Sequence, residues 1–242
     1  MSSHIDYSGL QGLVDEGHKE AEKKRARKGG VRRAARRLLL WLVAAVLLAT
    51  LPFYALVRVG VFAYREWSLG TWPAFSIGVA ATAVLLAAYA WGVGRKLGAG
   101  KGVRRLLRRG AVGMVIAYAA YGLVYVAGAN VKSPDVQAEY QTLHPLLRVA
   151  TSIVFLMDPS SVMTDAGRTP EDYYLWGLPV NEASLHFQQD DGFVHAVDLR
   201  TTGRPEWKNR AREIAFWAFG FHSLRHVGTA DHLHVSLRLP VG

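Results

Sequence analysis

The sequence predicts a multi-span α-helical membrane region followed by an α+β C-terminal domain with a small antiparallel sheet. Three observations carry this. The first 130 residues hold three long uncharged apolar stretches, basic runs lie directly beside them, and the chain closes on the alternating segment "HLHVSLRL". The composition agrees, because 50 % apolar residues and a formal charge of +10 seldom coexist in a soluble domain.

The charge is unevenly placed. Residues 1–37 hold ten Lys/Arg against five Asp/Glu, and residues 95–110 hold seven against none. Residues 131–242 hold ten against thirteen. Basic runs can bind nucleic acid, but beside apolar stretches they read as topology signals, so no nucleic-acid partner is expected.

The three apolar stretches are 38–57, 72–94 and 111–130, each free of charge over about 20 residues, the length that crosses a bilayer. All three read as transmembrane helices; for the third, "AVGMVIAYAAYGLVYVAGAN", a buried soluble helix is the alternative. Cytoplasmic loops collect Lys and Arg, which places "KKRARKGGVRRAARR" and "RKLGAGKGVRRLLRR" inside and 58–71 outside. The expected organisation is a basic cytoplasmic tail (1–37), a membrane-embedded region (38–130) and an extracytoplasmic domain (131–242). No small-residue cleavage site follows the first stretch, so it reads as an uncleaved anchor.

The C-terminal domain opens with a polar linker. "HPLLRVATSIVFLM" is too short to span and contains Arg148, so a core or membrane-surface helix is expected. "DPSSVMTDAGRTPEDYYLWGLP" is dense in turn residues. Strand-like pieces follow at "ASLHF" and "FVHAVDLRT". Helical spacing of Trp207, Ala211, Ile214, Ala218 and Phe221 predicts a helix that Pro205 begins and Gly220 ends. His222 and His226 flank the end of that helix. In the closing strand, alternation puts Leu233, Val235 and Leu237 on one face and His232, His234 and Ser236 on the other.

Six of the nine histidines lie between 186 and 234, together with Asp190, Asp191, Asp198 and Asp231. The chain has no cysteine, so a zinc site must use imidazole and carboxylate, and a catalytic one needs three such ligands with a position left for water. His234, Asp198 and one earlier histidine supply that set. Zinc held there would bring the pKa of its water to about 7.

At these residues the chain resembles the D-alanyl-D-alanine carboxypeptidase and L-alanyl-D-glutamate endopeptidase group of zinc peptidases, which shares its fold with lysostaphin-type endopeptidases and hedgehog signalling domains. The motifs are "SLH" at 184–186, "AVDL" at 196–199 and "DHLHV" at 231–235, within roughly residues 160–240. The resemblance implies His186, Asp198 and His234 as zinc ligands and Asp231 as general base. It also implies that Arg168 faces the substrate; a turn arginine in solvent is the alternative. His232, on the face of the ligand strand that carries His234, is expected to hydrogen-bond the transition state. The family places its first histidine seven residues before the aspartate, where Asp191 stands here, whereas His186 precedes Asp198 by twelve. A longer hairpin, "FQQDDGFV", accounts for the difference and displaces the family's glycine to Gly192. His195 is the rival ligand, but three residues before Asp198 it falls on the opposite face of a regular strand. Asp190 and Asp191 read as turn residues.

The function this implies is a membrane-anchored zinc carboxypeptidase or endopeptidase, displayed outside a bacterial cytoplasmic membrane and acting on peptidoglycan peptides. A non-hydrolytic metal-binding domain that senses cell-wall fragments is the alternative.

Overall fold

The computed structural model describes residues 8–240 except 176, 178, 229 and 230, with side chains described from residue 35 onward. The chain divides into two compact units, residues 1–50 and residues 51–242. The first is helical from Ser8 and carries most of the apolar part of helix α1 (Ser8–Glu66). The second contains everything that positions the site.

Among the described residues, two helices are long and apolar enough to cross a membrane: the Ala35–Glu66 part of α1, and α2 (Thr71–Lys96). Only 17 % and 22 % of their most apolar windows is buried, whereas a core helix of a soluble domain would be largely covered. The expected third span is not one helix. Helix α3 (Lys101–Val124) takes in the basic run and stops at Val124, and the chain reaches Asn130 through a short 3-10 turn. Its uncharged part is about 14 residues, some 21 Å long, short of the roughly 30 Å hydrocarbon core. The stop is set by side chains from later in the chain. Tyr140 Oη donates to Gly122 O, Arg148 Nη1 to Leu123 O at 3.0 Å, and Gln141 Nε2 to Val124 O at 2.7 Å. These satisfy the last carbonyls of α3, and the Arg148 charge suits the negative end of a helix.

Small residues let the helices approach closely. A Cβ on Gly78 would stand 2.2 Å from the Leu56 carbonyl oxygen, so α1 and α2 meet backbone to backbone there.

After α4 (Pro134–Glu139) comes α5 (Pro145–Met157), the segment expected as a core or surface helix. It is the core helix: every residue from Pro145 to Phe155 is buried. Strands β1 (Met163–Asp165), β2 (Ala196–Arg200), β3 (His222–His226) and β4 (His232–Ser236) form an antiparallel sheet in the order β1-β2-β4-β3. Helix α6 (Pro170–Leu175) follows β1, and α7 (Glu206–Phe219) joins β2 to β3. Val197, Leu199, Leu233 and Val235 are buried in the core, so by alternation one face of the sheet is the apolar face.

Three local expectations change. "ASLHF" is a series of turns and not a strand, with Phe187 N bonded to Ser184 O at 2.9 Å. His222 and His226 bound strand β3 instead of flanking a helix. Helix α7 forms as expected and ends on left-handed Gly220, but Pro205 is its N-cap and its buried side is Asn209, Arg212, Phe216 and Phe219. Trp207, Ile214 and Trp217 are exposed. Polar bonds set that rotation: Asn209 Nδ2 donates to Thr201 O at 3.2 Å and Arg212 Nη2 to Arg200 O at 2.8 Å, tying the helix to the end of β2.

Gly78→Ala is expected to destabilise the chain by on the order of 1–3 kcal/mol, since the added methyl meets backbone that cannot step aside. Thermal unfolding in detergent measures this; an unchanged midpoint would contradict the close crossing.

Candidate metal centre

The pairing of β2 with β4 sets the centre. Asp198 lies opposite His234 and Arg200 opposite His232, while on the other side of β4, Leu224 and His226 lie opposite His234 and His232. Residues paired across a sheet share a face, so Asp198, His232, His234 and His226 all project from the face opposite Leu233 and Val235. His186 arrives from the turn that precedes β2.

The three expected ligands converge. His234 Nδ1 is 2.9 Å and His186 Nε2 3.4 Å from Asp198 Oδ1, and the two imidazole nitrogens are 3.2 Å apart. Two ligands of a tetrahedral zinc, each about 2.0–2.1 Å from the ion, stand roughly 3.4 Å apart, which these separations approach. His186 and Asp198 are buried, whereas the His234 and His232 side chains keep 21 % and 26 % of their surface. The cluster is closed behind and open in front.

The tautomer of His186 fits a ligand. Its Nδ1 lies 2.5 Å from the Ala166 carbonyl oxygen, to which only a protonated nitrogen can donate, so Nε2 keeps its lone pair toward Asp198 and His234. Ala166 is held in turn, because its N–H donates to Glu139 Oε2 at 3.0 Å. Burial pushes the Glu139 carboxyl up to about 6, although this backbone donor pulls the other way. Burial alone would also raise the Asp198 carboxyl; the imidazoles gathered around it, with His234 Nδ1 donating to Oδ1 at 2.9 Å, outweigh burial and hold Asp198 well below the usual carboxylate range.

Of the other expected residues, two reach the cluster. His232 Nε2 is 3.6 Å from Asp198 Oδ2 and stacks on His226 at 4.8 Å. Arg168 Nη2 is 3.3 Å from Asp198 Oδ2 and 2.6 Å from Asp165 Oδ2. Asp165 is paired with Asp198 across β1 and β2, so Arg168 lies between two neighbouring carboxylates and offsets their repulsion.

Asp231 is not brought in. Arg225 grips both of its oxygens, at 3.0 and 2.8 Å, and Thr201 Oγ1 donates to it at 2.6 Å. The Arg225 and Thr201 hydrogen bonds hold its carboxyl down at about 2.

Sequence reasoning missed three features. Asp165 and His226 were legible only through pairings with β1 and β3, two short strands with weak signals. The third is a second group, His144, Asp191 and His195, whose ligand atoms also lie within 4.8 Å of one another. His195 Nε2 is 3.0 Å from Asp191, which also accepts from Thr71 Oγ1 at 2.7 Å and Tyr64 Oη at 3.3 Å. Here the tautomers differ. His144 Nδ1 accepts from Leu146 N at 3.2 Å, which in a neutral ring leaves the proton on Nε2, 3.8 Å from Asp191 Oδ2. Coordination through that nitrogen would cost the bond that caps α5. Both groups have the spacing to hold a metal ion, and in the first the His186 tautomer already turns a nitrogen lone pair toward the cluster. The second ties the ends of α1 and α2 to the hairpin that carries Asp191 and His195.

No family model, curated protein or solved structure matches the chain.

Glu139→Gln tests the support beneath His186. A carboxyl raised from 4.5 to about 6 in the fold contributes stability that is complete below about pH 4.5 and lost as pH rises through about 6. The variant should therefore unfold at a higher temperature than the parent above pH 6, the difference shrinking as the pH falls toward 4.5. Parallel melting curves across that range would contradict the raised carboxyl.

Proposed function

We propose that the chain is a membrane-anchored zinc peptidase that hydrolyses D-amino-acid-containing peptide bonds in peptidoglycan stem peptides, as a carboxypeptidase or endopeptidase. The observation that carries the proposal is the convergence of His186 Nε2, Asp198 Oδ1 and His234 Nδ1 on an open face of the sheet, with His232 beside them. The order of the "SLH", "AVDL" and "HLH" motifs, which resembles that peptidase group, supports the choice of zinc and of substrate.

When bound, zinc supplies Lewis acidity toward a carbonyl oxygen and acidifies a water. The protein's residues divide the remaining work. His186, Asp198 and His234 fix the geometry and leave the front of the site open. His232, placed on that open side, takes a proton from the attacking water and delivers it to the departing amine nitrogen. Arg168, braced by Asp165 and Asp198, presents positive charge to a substrate carboxylate or to negative charge developing on the carbonyl oxygen. Asp231 has no part in this scheme, since Arg225 holds it elsewhere.

The membrane reading rests on α1 and α2. The site's domain binds through Asp191 to Tyr64 and Thr71, at the junction of the two helices, and Arg95 and Lys96 lie at the far end of α2. If the basic run marks the cytoplasmic side, the domain stands outside, where bacterial peptidoglycan is found.

The test uses the full chain in detergent with purified wall peptides. His232→Ala should keep its zinc and lose a factor on the order of 10²–10⁴ in kcat, the usual worth of a positioned acid/base. Asp231→Asn should stay within a few-fold of the parent, and His234→Ala should lose both zinc and activity. If Asp231→Asn is inactive and His232→Ala is not, the proton carrier is wrongly assigned. If the zinc-loaded parent binds wall peptides without cleaving them, the domain is a sensor.

A further inference from the structure

Away from the metal centre, a cavity of about 480 Å³ opens between α1, the turn from α7 into β3, and the residues after β4. Its charged lining has one sign. Arg58 and Arg65 come from α1, and Arg238 follows β4. Arg58 and Arg65 are seven positions apart, two turns of helix, so both face the cavity.

No carboxylate forms an ion pair with Arg58, Arg65 or Arg238 among the described residues. Arg65 Nε is buried with no hydrogen-bond partner. Buried guanidinium donors are ordinarily satisfied, because leaving one unpaired costs more than a neutral hydrogen bond returns. The fold also makes room for Arg58: a Cβ on Gly220 would stand 2.2 Å from its Nη1, and Gly220 holds a φ of +99° that other residues rarely adopt. The C-terminal end of α7 faces Arg58 there, but a helix end offers only about half a negative charge, too little to balance three guanidinium groups. Among the described residues no group balances the positive charge of this lining.

The other lining groups indicate what carries it. Tyr54 and Trp217 border the cavity and are exposed, at 39 % and 71 %. Arg58 directly follows the uncharged stretch 38–57. Aromatic rings beside arginines at the end of an apolar helix match the level at which lipid headgroups lie. We propose that this cavity binds the phosphate of an anionic membrane lipid, with Arg58, Arg65 and Arg238 as its ligands and Trp217 and Tyr54 against the upper acyl and glycerol region. The lipid assignment rests on the membrane reading above, whereas the need for an anion does not.

Calorimetric titration of the full chain in a neutral detergent tests this with three probes: short-chain phosphatidic acid, short-chain phosphatidylcholine and inorganic phosphate. Phosphatidic acid should bind at least about ten-fold more tightly than either of the others, since each lost charge-assisted bond is worth roughly a factor of ten. Arg58→Gln and Arg65→Gln should each weaken it about ten-fold or more, and Arg104→Gln, on α3, should not. Should either α1 variant fold poorly, Arg238→Gln, outside any regular element, carries the same test. Equal affinity for inorganic phosphate would assign the cavity to a soluble anion and overturn the lipid. Equal affinity for phosphatidylcholine, or variants that bind like the parent, would overturn the site itself. A chain that stays soluble and monodisperse without detergent would refute the membrane reading separately, whatever the titrations show.

Discussion

The register of β4 on β2 is the constraint from which the candidate centre follows. With Asp198 opposite His234, the carboxylate and the imidazole share a face and their polar atoms stand 2.9 Å apart. Val197, Leu199, Leu233 and Val235 then share the other face and bury themselves completely or nearly so. A slip of one residue would turn the two histidines inward and the leucine and valine outward. Burial of these four side chains, each worth about 1.5–3 kcal/mol, therefore fixes the position of polar groups they never touch.

The segment between His186 and Asp198 has a second task. It supplies Asp191 and His195, and Asp191 receives hydrogen bonds from Thr71 and Tyr64 at the ends of the two apolar helices. The longer spacing between the two candidate ligands thus leaves room for an attachment. Movement of the apolar helices against this hairpin would be felt within a few residues of His186 on one side and Asp198 on the other.

Much of the centre was legible because strand alternation is a strict rule. It selected His186 over His195, and the structure gathers His186, Asp198 and His234 while placing His195 in the other group. The same rule applied to Asp231 would have set it aside, since it too lies three residues from a ligand; the motif resemblance argued the other way, and Arg225 is what holds Asp231. The end of α3 was not legible, because apolar residues continue to 130 and the stop is made by Tyr140, Arg148 and Gln141 from beyond it. The buried side of α7 was misread for a related reason. Trp207, Ile214 and Trp217 are exposed, while Asn209 and Arg212 face inward beside Phe216 and Phe219 to meet the carbonyls at the end of β2. In both cases backbone hydrogen bonding decided what hydropathy alone could not.

Anomalous diffraction at the zinc edge, from zinc-loaded crystals of the full chain, tests the centre most directly. The expected result is a peak about 2.0–2.2 Å from His186 Nε2, Asp198 Oδ1 and His234 Nδ1 together, with an open fourth position. No peak at those atoms, or a peak held only by His144, Asp191 and His195, would contradict it.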